Sequence, residues 1–498
     1  MGSSPTVRTS VARRGRVAAA LALLLAGCDR RVDVGPVAVS VIGEMPRAEE
    51  AARRPLTPAQ RLLTDSVAQG LVRFDAAGQI EPGLAERWIV IDDGMSYIFR
   101  LRDAAWQDGQ RVTARDVVAI LKRQLARGSR NPLRPFLSAI DDVVEMTPEV
   151  IEVQLARPRP DLLKLFAQPE LAIFRARPPG GTGPFRLTLG GRAGLLLAPA
   201  RELGRAEDEQ RAPAPEENVR LVGERAARAI LRFNAKQSDL VSGGTVVDWP
   251  LVALSETAPA NIRLDPATGL FGLAITSRDG FLADPAERDA VAQAFDRPAL
   301  VAAFANEWPA AETILPEQLD SAAPPAPQPW AATPLAERRA NAARRVTLWR
   351  AAHDGVAPAL RLALPGGSGG NRLWGQLAAG LIAIGIVPQR VGWNEPAELR
   401  LVDAVAPYDS ARWYLASACA PCGEEAQAAL DAARLAPTLA DRGQAIAIAD
   451  AALTADVAFV PLARPFRWSL VSLRLRQWTA NGRAWHPLNR LRREPTSR

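Results

Sequence analysis

Three groups of residues in this chain have types and spacings that could support chemistry. Cys419 and Cys422 read Cys-Ala-Pro-Cys, a spacing that in a reducing compartment serves redox exchange or metal binding. Gly366-Gly367-Ser368-Gly369-Gly370 fits G-x-S-x-G, the pattern in which a sharp strand-to-helix turn presents a serine nucleophile. A hydrolase built on Ser368 needs a base, and His486 is the histidine that follows it in the chain. Trp249, Trp393, Trp413, Trp468 and Tyr408 are candidates for an aromatic wall facing a bound molecule, although aromatic side chains most often fill cores.

Each reading has a plainer rival. A zinc site wants four Cys or His ligands, and the chain has only His353, His486 and no second Cys pair. A thioredoxin-like role lacks its strand-then-helix context near the start of a domain. A local disulfide between Cys419 and Cys422, without redox duty, suits an oxidising compartment. The 366–370 run is simply Gly-rich, and it reads as an ordinary turn whose backbone N–H groups are open to an anion at a helix N-terminus. No G-x-x-x-x-G-K-[ST] loop is present, so nothing in the chain marks a nucleotide-phosphate site of that kind. We therefore expect no catalytic residue, no cofactor and no metal, and structural roles for both histidines.

The N-terminus points to export. Arg8, Arg13, Arg14 and Arg16 precede a short apolar run, VAAALALLLA at 17–26, the layout of a secretory signal. The run is too short for a bilayer, which needs about 20 residues. It ends in Leu25-Ala26-Gly27-Cys28, which resembles the bacterial lipobox, where the Cys thiol is acylated and the chain is cut before it. Two acyl chains anchor stably where one does not. The expectation is a domain tethered through Cys28 to the periplasmic face of the inner membrane, or to the extracellular face of a single membrane. The formal charge is +7. Loss of the four signal arginines leaves 7 − 4 = +3. The remaining basic residues are dispersed among acids with no stacking aromatics, so nucleic acid is not an expected partner.

These residues must be positioned by a large framework. A composition of 48% hydrophobic and 23% charged residues over 498 positions supports a sizeable core and two or more domains. VAVSVIG (37–43) reads as a first strand, and 97–102 alternate like another. Thr113, with Asp116 three residues on, caps a helix beginning VVAILKRQL. Polar, Pro-bearing loops are expected at 195–217 and 316–340. Strands at 361–365, 399–405 and 458–462 alternate with helices at 371–386 and 424–453, which argues an α/β fold with mainly parallel pairing.

The stretch 70–121 carries a denser pattern: Gly70-Leu71-Val72, Pro82-Gly83-Leu84-Ala85-Glu86 with Trp88, Asp93-Gly94, Phe99-Arg100-Leu101-Arg102, Trp106, Asp108-Gly109 and Thr113-Ala114-Arg115-Asp116-Val117. It resembles the family 5 extracellular solute-binding proteins, the oligopeptide-, dipeptide- and nickel-binding group of ABC importers. Gly181–Phe185, Gln237–Val241, Asp296-Arg297, Gln376–Ile386 and Val460–Leu462 resemble later family segments, so coverage runs from about residue 37 to about 490. The resemblance implies a two-lobed, periplasmic-binding-protein-like (type II, Venus-flytrap) fold with an extra subdomain inserted in lobe I. Lobe I would comprise 29–56, 161–255 and 456–498, the insert 57–160, and lobe II 256–455. A peptide-like or other small solute would lie between the lobes, enclosed by hinge closure. The implied partners are an ABC permease and ATPase, with the chain itself a monomer and not an enzyme.

Family peptide binders carry Trp-x-x-Asp-Tyr-x-Asp/Glu-Pro in lobe II, and its first Asp receives the ligand's amine. Matching Asp409 to the second acid puts Ala406 at the amine-binding position and Asp403 at the Trp. The implied site then holds Tyr408, Asp409, Trp413 and Asp403 on the lobe II wall, with Asp248 and Trp249 on the lobe I wall. Loss of the amine-binding Asp also favours a rival reading, a tethered sensor or scaffold that has given up transport.

Overall fold

The computed structural model describes Gly2 and residues 35–177, 179–188, 190, 194–200 and 213–492. Cys28, the signal segment and residues 201–212 of the expected 195–217 loop lie outside the described residues. Strand Val37–Ile42 is an apolar run with all but its second and last residues buried. That continuity suits a central strand, covered on both faces. It is flanked by Val219–Glu224 and Leu240–Thr245, both parallel to it. Phe185–Thr188, Leu195–Pro199, Arg467–Val471 and Ile262–Asp265 complete a seven-stranded sheet.

The second sheet has five strands, in the order Val387–Val391, Ala359–Ala363, Leu399–Val405, Gly269–Ile275 and Phe459–Ala463. Gly269–Ile275 is buried at every position, as its apolar sequence GLFGLAI requires. The chain therefore changes sheets between Asp265 and Gly269, and returns between Ala463 and Arg467. The expected divisions at 255/256 and 455/456 each fall one strand away from these crossings.

Both sheets are mixed, which corrects the expectation of mainly parallel pairing. Two of six pairings in the larger sheet are parallel, and two of four in the smaller. The strands flanking the crossings, Ile262–Asp265, Gly269–Ile275, Phe459–Ala463 and Arg467–Val471, all pair antiparallel with their neighbours.

Residues 85–155 form a separate antiparallel sheet of Ala85–Ile91, Ser96–Leu101, Val150–Leu155 and Ile140–Thr147. Helix Ala114–Leu125 packs on it, opened by a reciprocal capping box between Thr113 and Asp116. One apolar cluster runs from this subdomain into the later helices, joining Phe99, Phe166 and Val117 to Tyr408, Trp413 and Leu453.

The expected 424–453 helix is two helices, Glu424–Leu435 and Leu439–Asp456. Pro437 lacks the N–H that continuation needs, and Thr438 caps the second helix by accepting from the Asp441 N–H. Asp450, on that second helix, is buried. One oxygen accepts from the Ala326 N–H at 2.7 Å and the other has no partner. Burial pushes its carboxyl up to about 6, against the lowering effect of the Ala326 bond. A folded pKa above the unfolded one means that stability is full below the unfolded value and falls as pH rises towards 6. Asp450→Asn keeps the Ala326 bond and removes the ionisation, so it should stabilise the protein at pH 7.5 by on the order of 1–3 kcal/mol. The gain should be much smaller at pH 4. Urea unfolding at both pH values checks this, and equal shifts would contradict it.

Candidate functional site

The two lobes meet where the turn after strand Leu240–Thr245 reaches the glycine run at the start of helix Gly367–Ala383. The Gly369 N–H donates to the Val247 carbonyl at 2.9 Å. A Cβ on Gly369 would lie 2.2 Å from the Val246 oxygen and 2.5 Å from the Val247 oxygen. Only glycine allows this approach of two backbones. The run is thus neither a nucleophile elbow nor an open anion cradle. Ser368 is exposed, whereas His486 is buried with Nε2 3.0 Å from Asp265, and the two share no hydrogen bond. The Gly369 donor that an anion would use is already taken by Val247.

The implied binding residues divide between this seam and other places. Asp403 sits at the seam but is bound to Arg467, 2.7 Å away on the other sheet. Arg467 is in register with Thr245, so the pair links both sheets beside the turn. Trp249 packs edge-on against Phe466, with centroids 5.0 Å apart, and donates from Nε1 to the Phe304 carbonyl at 2.9 Å. Trp468 is buried and donates to the Thr245 carbonyl.

Tyr408 and Trp413 are not open to a ligand. Tyr408 is 0% exposed. Its oxygen accepts from Arg159 at 3.0 Å, Phe136 meets its ring edge-on at 6.0 Å, and burial pushes the phenol up to about 12. Trp413 is buried edge-on to Tyr414, at 5.0 Å. Both side chains fill the core between the inserted subdomain and the helices of the smaller-sheet lobe. Asp409 is half-exposed but held by Lys164 and Arg483, each at 2.7 Å. Burial would raise its carboxyl, and these two cations outweigh that and hold it below the usual range. Trp393 is 42% exposed, and its carbonyl accepts from Arg400.

Asp248 differs from the other acids. It precedes the short helix Trp249–Ala253, is half-buried, and makes no side-chain cap bond. Among the described residues no hydrogen bond or ion pair reaches its carboxylate. Burial is the sole cause raising its pKa. A desolvated carboxylate without a counter-charge, beside the contact between lobes, is suited to receive a cationic or donor-rich group. Sequence reasoning missed Arg159, Lys164, Arg467 and Arg483, the partners that occupy Tyr408, Asp403 and Asp409. They lie 64–249 positions away in sequence, and no local motif marks them.

Cys419 and Cys422 form a disulfide with Cα atoms 4.8 Å apart. Loop-closure entropy for so short a loop is about 2 kcal/mol. The double Ser variant should lose no more than that in urea unfolding. Among the described residues no group of three or more Cys, His, Asp or Glu is placed to hold a metal ion, and no helix is long and apolar enough to cross a membrane.

The comparisons agree with this architecture. The model of the bacterial extracellular solute-binding proteins, family 5 Middle, matches residues 79–346, just over half of the 498 residues. The probable deoxycholate-binding periplasmic protein YgiS of Escherichia coli (strain K12) is 41% identical over 71 residues, 14% of this chain and 13% of that protein. The match therefore spans only about an eighth of that relative. Among solved structures, OppA of Burkholderia pseudomallei superposes with a TM-score of 0.78 at 17% identity, covering 92% of this chain and 99% of that one. The Escherichia coli murein tripeptide binding protein MppA gives 0.75 at 18% identity, covering 91% and 97%. These establish the two-lobed periplasmic-binding-protein fold. A match across more than half its length, on the same frame of two mixed sheets and an inserted subdomain, makes this chain a member of the family 5 bacterial extracellular solute-binding proteins.

Proposed function

We propose that the chain is the lipid-anchored, extracytoplasmic substrate-binding protein of an ABC importer, and that it holds a small solute with a cationic group between its lobes. The observation that carries this reading is the unpartnered, half-buried Asp248 carboxylate beside the closed contact at Gly369. Lobe I is built on the seven-stranded sheet, with 57–160 as its insert, and lobe II on the five-stranded sheet. The chain passes between them at 266–268 and 464–466. The relatives' names span deoxycholate and murein tripeptide, so membership leaves the solute open. Peptide capture by the usual amine clamp is disfavoured, because Ala406 is buried and carries no charge.

Cys28 is the acylated residue, so the monomeric mature protein sits at the periplasmic face of the inner membrane, or outside a single membrane. It delivers solute to a permease powered by a separate ATPase. Cys28→Ser should accumulate as uncleaved precursor and leave the membrane fraction, and normal processing of that variant would refute the anchor. The direct test of the function is mass spectrometry of organic molecules released from denatured protein. A cationic solute near one per chain is expected, while a solely neutral or anionic organic ligand would overturn the reading. A second reading, a tethered sensor or scaffold, is favoured by one observation: Asp403 and Asp409 are consumed by internal ion pairs. Co-purification of a permease with the crosslinked protein decides against it.

A further inference from the structure

A recess separate from the seam between the lobes is lined by five arginines, Arg157, Arg159, Arg412, Arg434 and Arg442, with Thr438 beside them. Arg157 and Arg159 follow strand Val150–Leu155 of the inserted subdomain. Arg412 lies on helix Ala411–Ala418, Arg434 near the end of Glu424–Leu435, and Arg442 in the first turns of Leu439–Asp456. Two parts of the fold thus contribute cations to one place.

Three of the five charges are compensated. Arg442 donates to Asp320 and to the Ser410 hydroxyl, both at 2.8 Å. Arg434 is paired with Asp431 at 3.1 Å. Arg159 faces the buried Asp161 and donates to the Tyr408 oxygen. Asp441 also lies nearby, engaged with the Thr438 hydroxyl at 2.6 Å. Arg157 and Arg412 have no carboxylate in ion-pair or hydrogen-bond contact, and Asp431, which feels the charge of Arg412, is already paired with Arg434. Arg157 donates only to Ser138, at 3.2 Å. Arg412 is 7% exposed and its Nε has no hydrogen-bond partner. Its guanidinium lies 5.6 Å over the Phe136 ring. The neighbouring arginines and burial both act to discharge it, with burial the larger cause, and its pKa falls to about 10. A buried charge without a partner is costly, and guanidinium groups match the paired oxygens of oxyanions.

We propose that this recess, which in this conformation has room for about one water, widens by outward turns of the partly exposed Arg157 and Arg434 side chains to bind a doubly charged oxyanion of the phosphate type, bridging the inserted subdomain to lobe II. The ligand supplies the two charges that Arg157 and Arg412 lack, and it ties together parts of the fold that contribute arginines from both sides.

The test is calorimetric titration of the full-length, desalted protein with inorganic phosphate, sulfate and glycerol 3-phosphate at constant ionic strength in chloride. Saturable binding of phosphate at one per chain is expected, with a rise in Tm. Arg412→Met should weaken it at least tenfold and raise the Tm of the anion-free protein, because a buried uncompensated charge is gone. Should Arg412→Met not fold, the half-exposed Arg434→Gln gives the same reading with less structural disturbance, as a several-fold loss of affinity. Tighter binding of glycerol 3-phosphate assigns the site to a phosphate ester, and tighter binding of phosphate assigns it to the free ion. Asp248→Asn should leave all these affinities unchanged, which separates this site from the solute site. Binding no stronger than that of chloride, or equal binding by wild type, Arg412→Met and Arg434→Gln, overturns the proposal.

Discussion

Replacing Gly369 with valine should hold the lobes apart and weaken solute binding by about a hundredfold. A Cβ at this position falls 2.2 Å and 2.5 Å from two backbone oxygens, those of Val246 and Val247. Neither neighbour is a side chain that can rotate away, and the Gly369–Val247 hydrogen bond sets the spacing. Relief therefore requires the two backbones to separate, which is a lobe opening. If closure becomes the rare state at about 1%, the apparent dissociation constant rises about a hundredfold, since only the closed fraction binds fully. Apolar clusters are shared between the lobes, so opening also uncovers part of them, and unfolding by urea should show a loss of stability alongside the loss of binding. Small-angle scattering should show a larger radius of gyration in the presence of solute than for wild type. Gly375 supplies the control: it lies in the same helix, and a Cβ there meets nothing within 4 Å. Gly375→Ala should bind normally and gain about 0.5–1 kcal/mol from helix propensity. A Gly369→Val protein that closes and binds like wild type would remove the seam from the mechanism.

The central strand of the larger sheet was readable because burial on both faces demands an unbroken apolar run, as in VAVSVI, while the equally apolar GLFGLAI went unread. The Thr113–Asp116 capping box was readable because its two bonds are local. The crossings between lobes were not. Ile262–Asp265 and Phe459–Ala463 carry no mark of which sheet they join, since that depends on pairing with strands more than a hundred positions away. The glycine run was correctly placed between strand and helix, but what it is for depends on Val246 and Val247 of the opposite lobe. The acids of lobe II were read as ligand groups because their cationic partners are distant in sequence. The peptide-binder motif illustrates the same limit. Aligned on its second acid it puts Ala406 at the amine-binding position, and aligned on its Tyr it puts Pro407 there. Neither register supplies a carboxylate, so the inference against an amine clamp survives the ambiguity.

Asp248→Asn should separate binding from stability, moving them in opposite directions. The free protein holds this carboxylate half-buried with no counter-charge, and burial raises its pKa above the ordinary value. As pH rises from the unfolded pKa towards the folded one, ionisation is taken up more readily by the unfolded chain, so the folded state loses stability over that window. Asparagine does not ionise, so the solute-free variant should be at least as stable as wild type at pH 7.5. Binding should respond oppositely. A cationic solute makes its ion pair in a desolvated setting, where removal of one partner costs about 2 kcal/mol or more, roughly thirtyfold in Kd. A solute with a permanent charge, such as a quaternary ammonium compound, gives the cleanest pH test because its own charge is fixed. Its affinity for wild type should decline as pH falls through the raised pKa of Asp248, whereas affinity for Asp248→Asn should be weak and flat over the same range. Asp403→Asn is the contrasting variant: it breaks the ion pair with Arg467 and should lower stability as well as binding. An Asp248→Asn protein that binds the solute as tightly as wild type would show that the solute's recognition rests on other groups, even with the fold and the family unchanged.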